Sequence, residues 1–427
     1  MSKPEGSPAP ELGHLFRRES GRLVSALTRV FGVHNLELAE DVVQDALCRA
    51  LELWKLRGFP DDPAAWLLVS ARNRAVDVLR RERRTRVFAP ELTQLIQSEW
   101  TLVPALSEMF QDEMIRDDQL RMMFSCCHPK LSDSASVALM LSLLCGFSVQ
   151  EVAAAFLAEP ASIEKRIVRA KGRIAASGRL YELRGTSDLK ARLARVLRAL
   201  YLLFNEGYHG SHSIRTVREE LCEEAIRLCT MLAEHPSTNS PEVLALLALM
   251  YLNAARLPGR INQTGELMPL NEQDRGSWNS EFVQRGINLL NASASGDFVT
   301  PFHVEAAIAA EHATSPSLAG TNWTRIVEHY DILLKLRPTP VVALNRAIAI
   351  GQEQGPERGL AELAELGQDA HLARYPFFEA AFGELELRAG RAAVAQSHFE
   401  RAAARARGMD ERRFFLGRAA VCAGEQV

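Results

Sequence analysis

The stretch Asp62-Pro63-Ala-Ala-Trp66-Leu-Leu-Val-Ser-Ala-Arg72-Asn73-Arg74-Ala-Val-Asp77-Val-Leu-Arg80-Arg81-Glu-Arg-Arg84 has a helical period and a strongly basic end. Asp62 before Pro63 reads as an N-cap with proline at the first helical position. The helix runs on to about Arg84. Ala65, Leu68, Val69, Val76 and Leu79 form its expected buried side. Trp66, Ser70, Asn73, Asp77, Arg80 and Arg84 share another side at i, i+4, i+7 spacing. An aromatic, an amide and arginines on one face suit nucleic acid: Arg for phosphates, Asn for a base edge, a ring for stacking. The plainer alternative is a solvated helix end, where cations favour the C-terminal dipole. Five Arg between Arg80 and Arg86 exceed what that effect needs.

Upstream, Asn35 can cap a helix that runs to about Arg57 and stops at Gly58. Its apolar stripe is Ala39, Val43, Ala46, Ala50 and Trp54. Glu40, Asp41, Gln44 and Asp45 make an exposed acidic face, which with no further context is a solvated surface.

Downstream, residues 133–174 carry the most specific local pattern. A helix from about Asp133 to Cys145 ends at Gly146. Ser148-Val-Gln-Glu151 is a capping box that starts a short helix burying Val152, Ala153 and Phe156. Glu159-Pro160 opens another, with Ile163, Ile167, Ala170 and Ile174 buried and Ser162, Lys165, Arg166, Arg169 and Arg173 outside. Two short helices, a tight turn and a basic outer face make a DNA-binding helix-turn-helix. The rival is an ordinary helical hairpin with a charged face.

Around these segments lies a chain of 427 residues, 47% apolar and 24% charged, with net charge −3. At roughly 100–200 residues per domain it holds two or three. The composition excludes a disordered, collagenous or disulfide-rich protein. A net charge near zero argues against nucleic acid, but it averages over unlike parts. Residues 72–86 carry seven Arg against two acids, residues 162–179 six bases against one acid, and residues 99–118 six acids against one base. Seven scattered Cys without a CxxC pair fit free thiols in a reducing cytosol. No apolar run reaches the roughly 18 residues of a membrane span. The N-terminus lacks the apolar region of a signal peptide. Helix formers abound and no alternating strand of useful length occurs, so the chain reads as all-α.

Asp41-Val-Val-Gln-Asp45, the run Trp66 to Asp77 and Arg80-Arg-Glu-Arg-Arg84 resemble region two of bacterial extracytoplasmic-function sigma factors, in the sigma-70 family. Phe147-Ser-Val-Gln-Glu-Val-Ala-Ala-Ala-Phe156, with Ile163 and Arg169-Ala-Lys171, resembles region four. The ordered set spans roughly residues 10–180. The resemblance implies two small helical sigma domains: a disordered tail over 1–10, region two over 11–90, an acidic linker over 91–118 and region four over 119–180. It implies a cytoplasmic transcription initiation factor with no catalysis and no cofactor, whose partners are core RNA polymerase and promoter DNA. Asp41, Gln44 and Asp45 would meet the β′ clamp helices. Trp66, Asn73, Asp77, Arg80, Arg81 and Arg84 would recognise and help open the −10 element, which needs a base held out of the stack. Ser162, Lys165, Arg166, Arg169 and Arg173 would read the −35 element, and region four would touch the β flap.

Residues 185–427 go beyond small members of that family. Phe382-Gly383, Ala395, Phe399 and Ala402 keep part of the spacing of a tetratricopeptide repeat, whose stacked helix pairs offer a concave surface to protein or peptide. The run Tyr201 to His212 resembles the start of the long extension in a sigma subgroup with such C-termini. Asn205, Glu206, Tyr208, His209 and His212 are therefore candidate interdomain or regulatory residues, in an extension expected to regulate the factor and to take a protein or peptide partner. His209 and His212 with Glu206 lack the further ligands of a metal site, so no metal is expected. Adjacent Cys126 and Cys127 read as packing residues. Two rival classes stay open: a helix-turn-helix repressor with a helical ligand-binding domain, and a helical enzyme using Glu206, His209 and His212.

Overall fold

A computed structural model describes residues 9–82, 88, 99–156, 158–178, 180–181, 189–208, 217–262, 267–296, 298–367, 369, 372–406 and 408–424. Among them are nineteen α-helices and no β-strand, only an isolated bridge between Ile261 and Leu267. The chain is all-α. It divides into two compact units, Met1–Leu203 and Phe204–Val427.

The first unit is organised around α1 (Ala9–Phe31). Against it lie α2 (Leu36–Arg57) and α3 (Pro63–Glu82). After α4 (Glu99–Met109) follow α5 (Asp112–Cys126) and α6 (Asp133–Leu144), which also pack on α1. Leu23, Leu27 and Phe31 of α1 are fully buried in that contact. Gly21 is what lets α6 approach, since a Cβ there would stand 2.1 Å from the Leu144 carbonyl oxygen. Of the expected acidic linker over 91–118, residues 99–118 form α4 and the first half of α5; of the tail expected over 1–10, residues 9–10 begin α1, and 1–8 and 91–98 lie outside the described residues.

Local sequence explains most of these boundaries. Asp62 Oδ1 accepts from the Ala65 N–H at 2.9 Å and starts α3. Gly58, at φ +82°, ends α2 in a conformation that only glycine adopts freely. Asn35 stands at the start of α2 but does not cap it: its side chain donates back to the Phe31 carbonyl at 2.9 Å. A 3₁₀ turn over Val33–Asn35 holds it there. The buried stripe of α3 also differs from the expected one. Val76 and Leu79 are buried as expected, with Leu67, Ala71, Ala75 and Val78, whereas Ala65 and Val69 are exposed and Leu68 only half-buried. Residues 64–69 are apolar all round, so period alone picks no face; the small Ala71 and Ala75 let α3 lie close and decide it.

Two short helices complete the unit before its last one. In α7 (Val149–Phe156) the capping box is formed: Glu151 Oε2 accepts from the Ser148 N–H at 2.9 Å, and the Glu151 N–H donates to Ser148 Oγ at 3.2 Å. In α8 (Pro160–Ala175), Ile163, Ile167, Ala170 and Ile174 are all buried. The division into units falls within α9 (Leu189–Tyr208).

The second unit is a succession of helices, each packed on its sequence neighbour: α10 (Glu219–Glu234), α11 (Pro241–Ala254), α12 (Ser280–Ser293), α13 (Pro301–Thr314), α14 (Trp323–Leu336), α15 (Pro340–Glu353), α16 (Pro356–Glu365), α17 (Pro376–Arg388), α18 (Ala392–Ala404) and α19 (Met409–Ala423). Ser240-Pro241, Thr300-Pro301 and Thr339-Pro340 each start a helix with a hydroxyl cap and proline at the first position. Helix α11 is buried along Val243 to Leu252 except for Leu244. Between α17 and α18 a Cβ on Gly383 would stand 3.0 Å from the Phe399 ring, and Ala395, Phe399 and Ala402 are buried.

Candidate nucleic-acid interface

Asn73, Asp77 and Arg80 lie exposed along one side of α3, and Arg81 is exposed beside them. The opposite side is the buried stripe, so packing fixes which way this row points. Trp66 is half-buried and edge-on to Trp54, ring centroids 5.4 Å apart. Trp54 also meets Phe16 at 5.7 Å and Phe59 at 5.5 Å. The ring of Trp66 thus belongs to an aromatic cluster at the start of α3, in which Phe59 is the more exposed member. Arg84 lies outside the described residues.

Asp41, Gln44 and Asp45 are exposed on α2, opposite the buried Ala39, Val43, Ala46, Ala50 and Trp54. Arg74 of α3 reaches across to Asp45 Oδ2 from Nε at 3.0 Å and Nη2 at 2.8 Å. Asp45 is therefore shared between this face and the α2–α3 contact. Sequence reading did not find the pair, since 29 positions separate its members.

On α8, Ser162, Lys165, Arg169 and Arg173 are exposed and Arg166 half-buried. The Arg166 guanidinium lies 5.7 Å from the Phe156 ring centroid, which braces it against α7. Arg173 donates to the Lys130 carbonyl at 2.8 Å. The face thus offers three long cationic side chains besides Arg173, carried on a helix whose other side is apolar.

Three polar ties join the two basic helices' supports within this unit. Lys171 Nζ of α8 lies 2.6 Å from Glu40 Oε1 of α2. Arg17 of α1 donates to Glu151 Oε1 at 2.8 Å, so the residue that closes the α7 capping box also binds α1. Arg29 of α1 lies 3.5 Å from Asp118 of α5, a carboxylate with no exposed surface. Burial pushes the Asp118 carboxyl up to about 7, against the pull of Arg29 and Arg121.

Cys126 and Cys127 are fully buried, and burial raises both thiols, Cys127 to about 12. Buried, protonated thiols suit packing. Among the described residues no three His, Cys, Asp or Glu gather as a metal site. Asn205 is half-buried and Glu206 and Tyr208 are buried, all in the second unit; His209 and His212 lie outside the described residues. No described helix is long and apolar enough to cross a membrane.

An all-helical unit with an acidic face on one helix and exposed Arg80 and Arg81 on the next is the arrangement that the resemblance to sigma region two implies. Residues 15–85 match Sigma-70 region 2, and residues 192–294 match a family of unknown function, DUF6596. An uncharacterized protein of Rhizobium meliloti (strain 1021) is 37% identical over 389 residues, covering 91% of this chain and 90% of that protein. No solved structure matches the chain. The chain belongs to the sigma-70 family, with a region-2 domain at its N-terminus and a long C-terminal extension. Region 2 gives it a sigma-factor role in transcription initiation and implies binding to core RNA polymerase and promoter DNA.

Proposed function

We propose that this factor, of the extracytoplasmic-function type and acting in the cytoplasm, directs core polymerase to promoters whose −10 and −35 elements it reads with separate helices. Asn73, Asp77, Arg80 and Arg81 of α3, with Trp66 and Arg84, recognise the −10 element and help to open it. The pair α7–α8 acts as a helix-turn-helix, with Ser162, Lys165, Arg166, Arg169 and Arg173 on the −35 element. Asp41, Gln44 and Asp45 meet the β′ clamp helices, and region four touches the β flap. The C-terminal helices are tetratricopeptide-like, regulate the factor and take a protein or peptide partner; they catalyse nothing.

The observation that carries this reading is the pair of exposed basic rows on α3 and α8, each backed by a buried apolar stripe. Backbone-facing arginines supply affinity and an amide supplies base contact. The factor spends binding energy on promoter contacts and strand separation, while the polymerase does the chemistry.

Transcription in vitro with core polymerase, followed by mapping of the transcript starts, tests it. Arg166→Ala with Arg169→Ala should weaken −35-dependent initiation by about 1–3 kcal/mol per lost contact. Asn73→Ala should impair initiation on duplex templates and recover on pre-melted ones. Undiminished initiation by both variants on duplex DNA sinks the site assignment. Operator binding without polymerase would favour a repressor instead.

A further inference from the structure

Half-buried cationic side chains gather in the second unit, within the span that matches the family of unknown function. Arg256 follows α11, and Arg275 begins a 3₁₀ turn before α12. Their guanidinium carbons lie 5.2 Å and 4.9 Å from the ring centroid of Trp278, which is 7% exposed. Arg260 stands close by, stacked over Tyr208 at 4.0 Å. Neither Arg256 nor Arg275 has an ion pair among the described residues. Arg256 has only a long contact to Gln273 at 3.5 Å, and Arg275 Nη1 donates to the His312 and Ser315 carbonyls at 2.7 Å each.

Four groups here are buried without a hydrogen-bond partner among the described residues: Arg256 Nε, Arg275 Nη2, Trp278 Nε1 and His312 Nδ1. Arg256 and Arg275 repel each other, and burial, with both of them, drives His312 down to about 3, so its ring is neutral. A guanidinium cannot escape by losing its proton. Neighbouring like charges whose buried nitrogens make no hydrogen bond are costly unless an anion meets them. Planar guanidinium forks suit the oxygens of phosphate or an ester of it.

We propose that Arg256, Arg275 and Trp278, flanked by His312, form a binding site for a small phosphate-class oxyanion in the C-terminal extension. The site is independent of the promoter-reading assignment above. It gives the extension a ligand of its own, in addition to any protein partner.

Full-length protein titrated with inorganic phosphate, with glycerol phosphate and with chloride at matched ionic strength tests this. The readouts are thermal unfolding, Trp278 fluorescence (assigned with Trp278→Phe) and the His312 ring signals by NMR. Phosphate, but not chloride, should saturate a transition that lowers the unfolding constant about 100-fold at 100 times its Kd. It should also move the His312 signals. A stronger response to glycerol phosphate marks an esterified ligand, and a stronger response to phosphate a free one. Arg256→Gln with Arg275→Gln should raise the unfolding temperature without phosphate, by removing the repulsion, and abolish the phosphate response. Phosphate acting no differently from chloride, or His312 signals that stay put in the wild type, overturns the site. So does a phosphate increment that survives in the double variant.

Discussion

Asp118 has no exposed surface and faces Arg29 of α1 across the α1–α5 contact. With Asp117 beside it and Arg121 one turn on, its carboxyl sits at about 7 instead of in the ordinary carboxylate range, and burial is the largest cause. A carboxyl raised by folding stabilises the fold in its protonated form. That contribution is full below about pH 4 and is lost as pH rises through about 7. Asp118→Asn should match the wild type near pH 4 and exceed it by roughly 2–4 kcal/mol at pH 8. Urea midpoints measured across that range check this; parallel pH profiles for the two proteins would contradict it. The sequence placed Asp118 in an acidic linker. Two adjacent carboxylates, Asp117 and Asp118, look alike to any count of charge, and only the distant Arg29 distinguishes them. By contrast Asn73, Asp77 and Arg80 were legible, because polar residues at helical spacing opposite an apolar stripe have nowhere to point but outward.

Helices with a clear apolar row were readable along that row, although α2 buries Leu36, Val42 and Leu47 as well. In α8, Ile163, Ile167, Ala170 and Ile174 gave the buried side, and in α2 the row from Ala39 to Trp54 did. The start of α3, apolar in every direction, was not readable, and the expected stripe there was replaced by Leu67, Ala71 and Ala75. Contacts between helices far apart in sequence were invisible for a different reason: 131 positions lie between Lys171 and Glu40, and neither type signals its partner. The approach of α1 to α6 depends on a single hydrogen. Gly21→Ala should shift one helix against the other and cost about 1–3 kcal/mol, as overpacking does. Thermal unfolding with amide exchange on α1 and α6 measures it; unchanged protection at both helices would show that the contact tolerates a methyl group.

Across the whole molecule, the near-neutral net charge hides unlike parts, and the first unit concentrates the basic rows. If the extension regulates, deleting residues after Leu203 changes promoter output or polymerase affinity; a truncated chain equal to the full one in both would end that idea. Nothing in the sequence announced the Arg256, Arg275 and Trp278 cluster, because its members come from separate turns and no motif spacing links them. The ties between helices bear last on how ionic strength acts. Lys171 and Arg17 are each held by a carboxylate of their own chain, at 2.6 Å and 2.8 Å. A cation reaching for phosphate from such a position must first release an internal partner. Added salt screens both attractions at once, with a Debye length of about 10 Å at 0.1 M. Counterion release on DNA and screening of the internal pairs therefore pull in opposite directions. The logarithmic salt slope of promoter binding should be shallower than the number of basic side chains on α8 implies, and Lys171→Gln should leave that slope almost where it was.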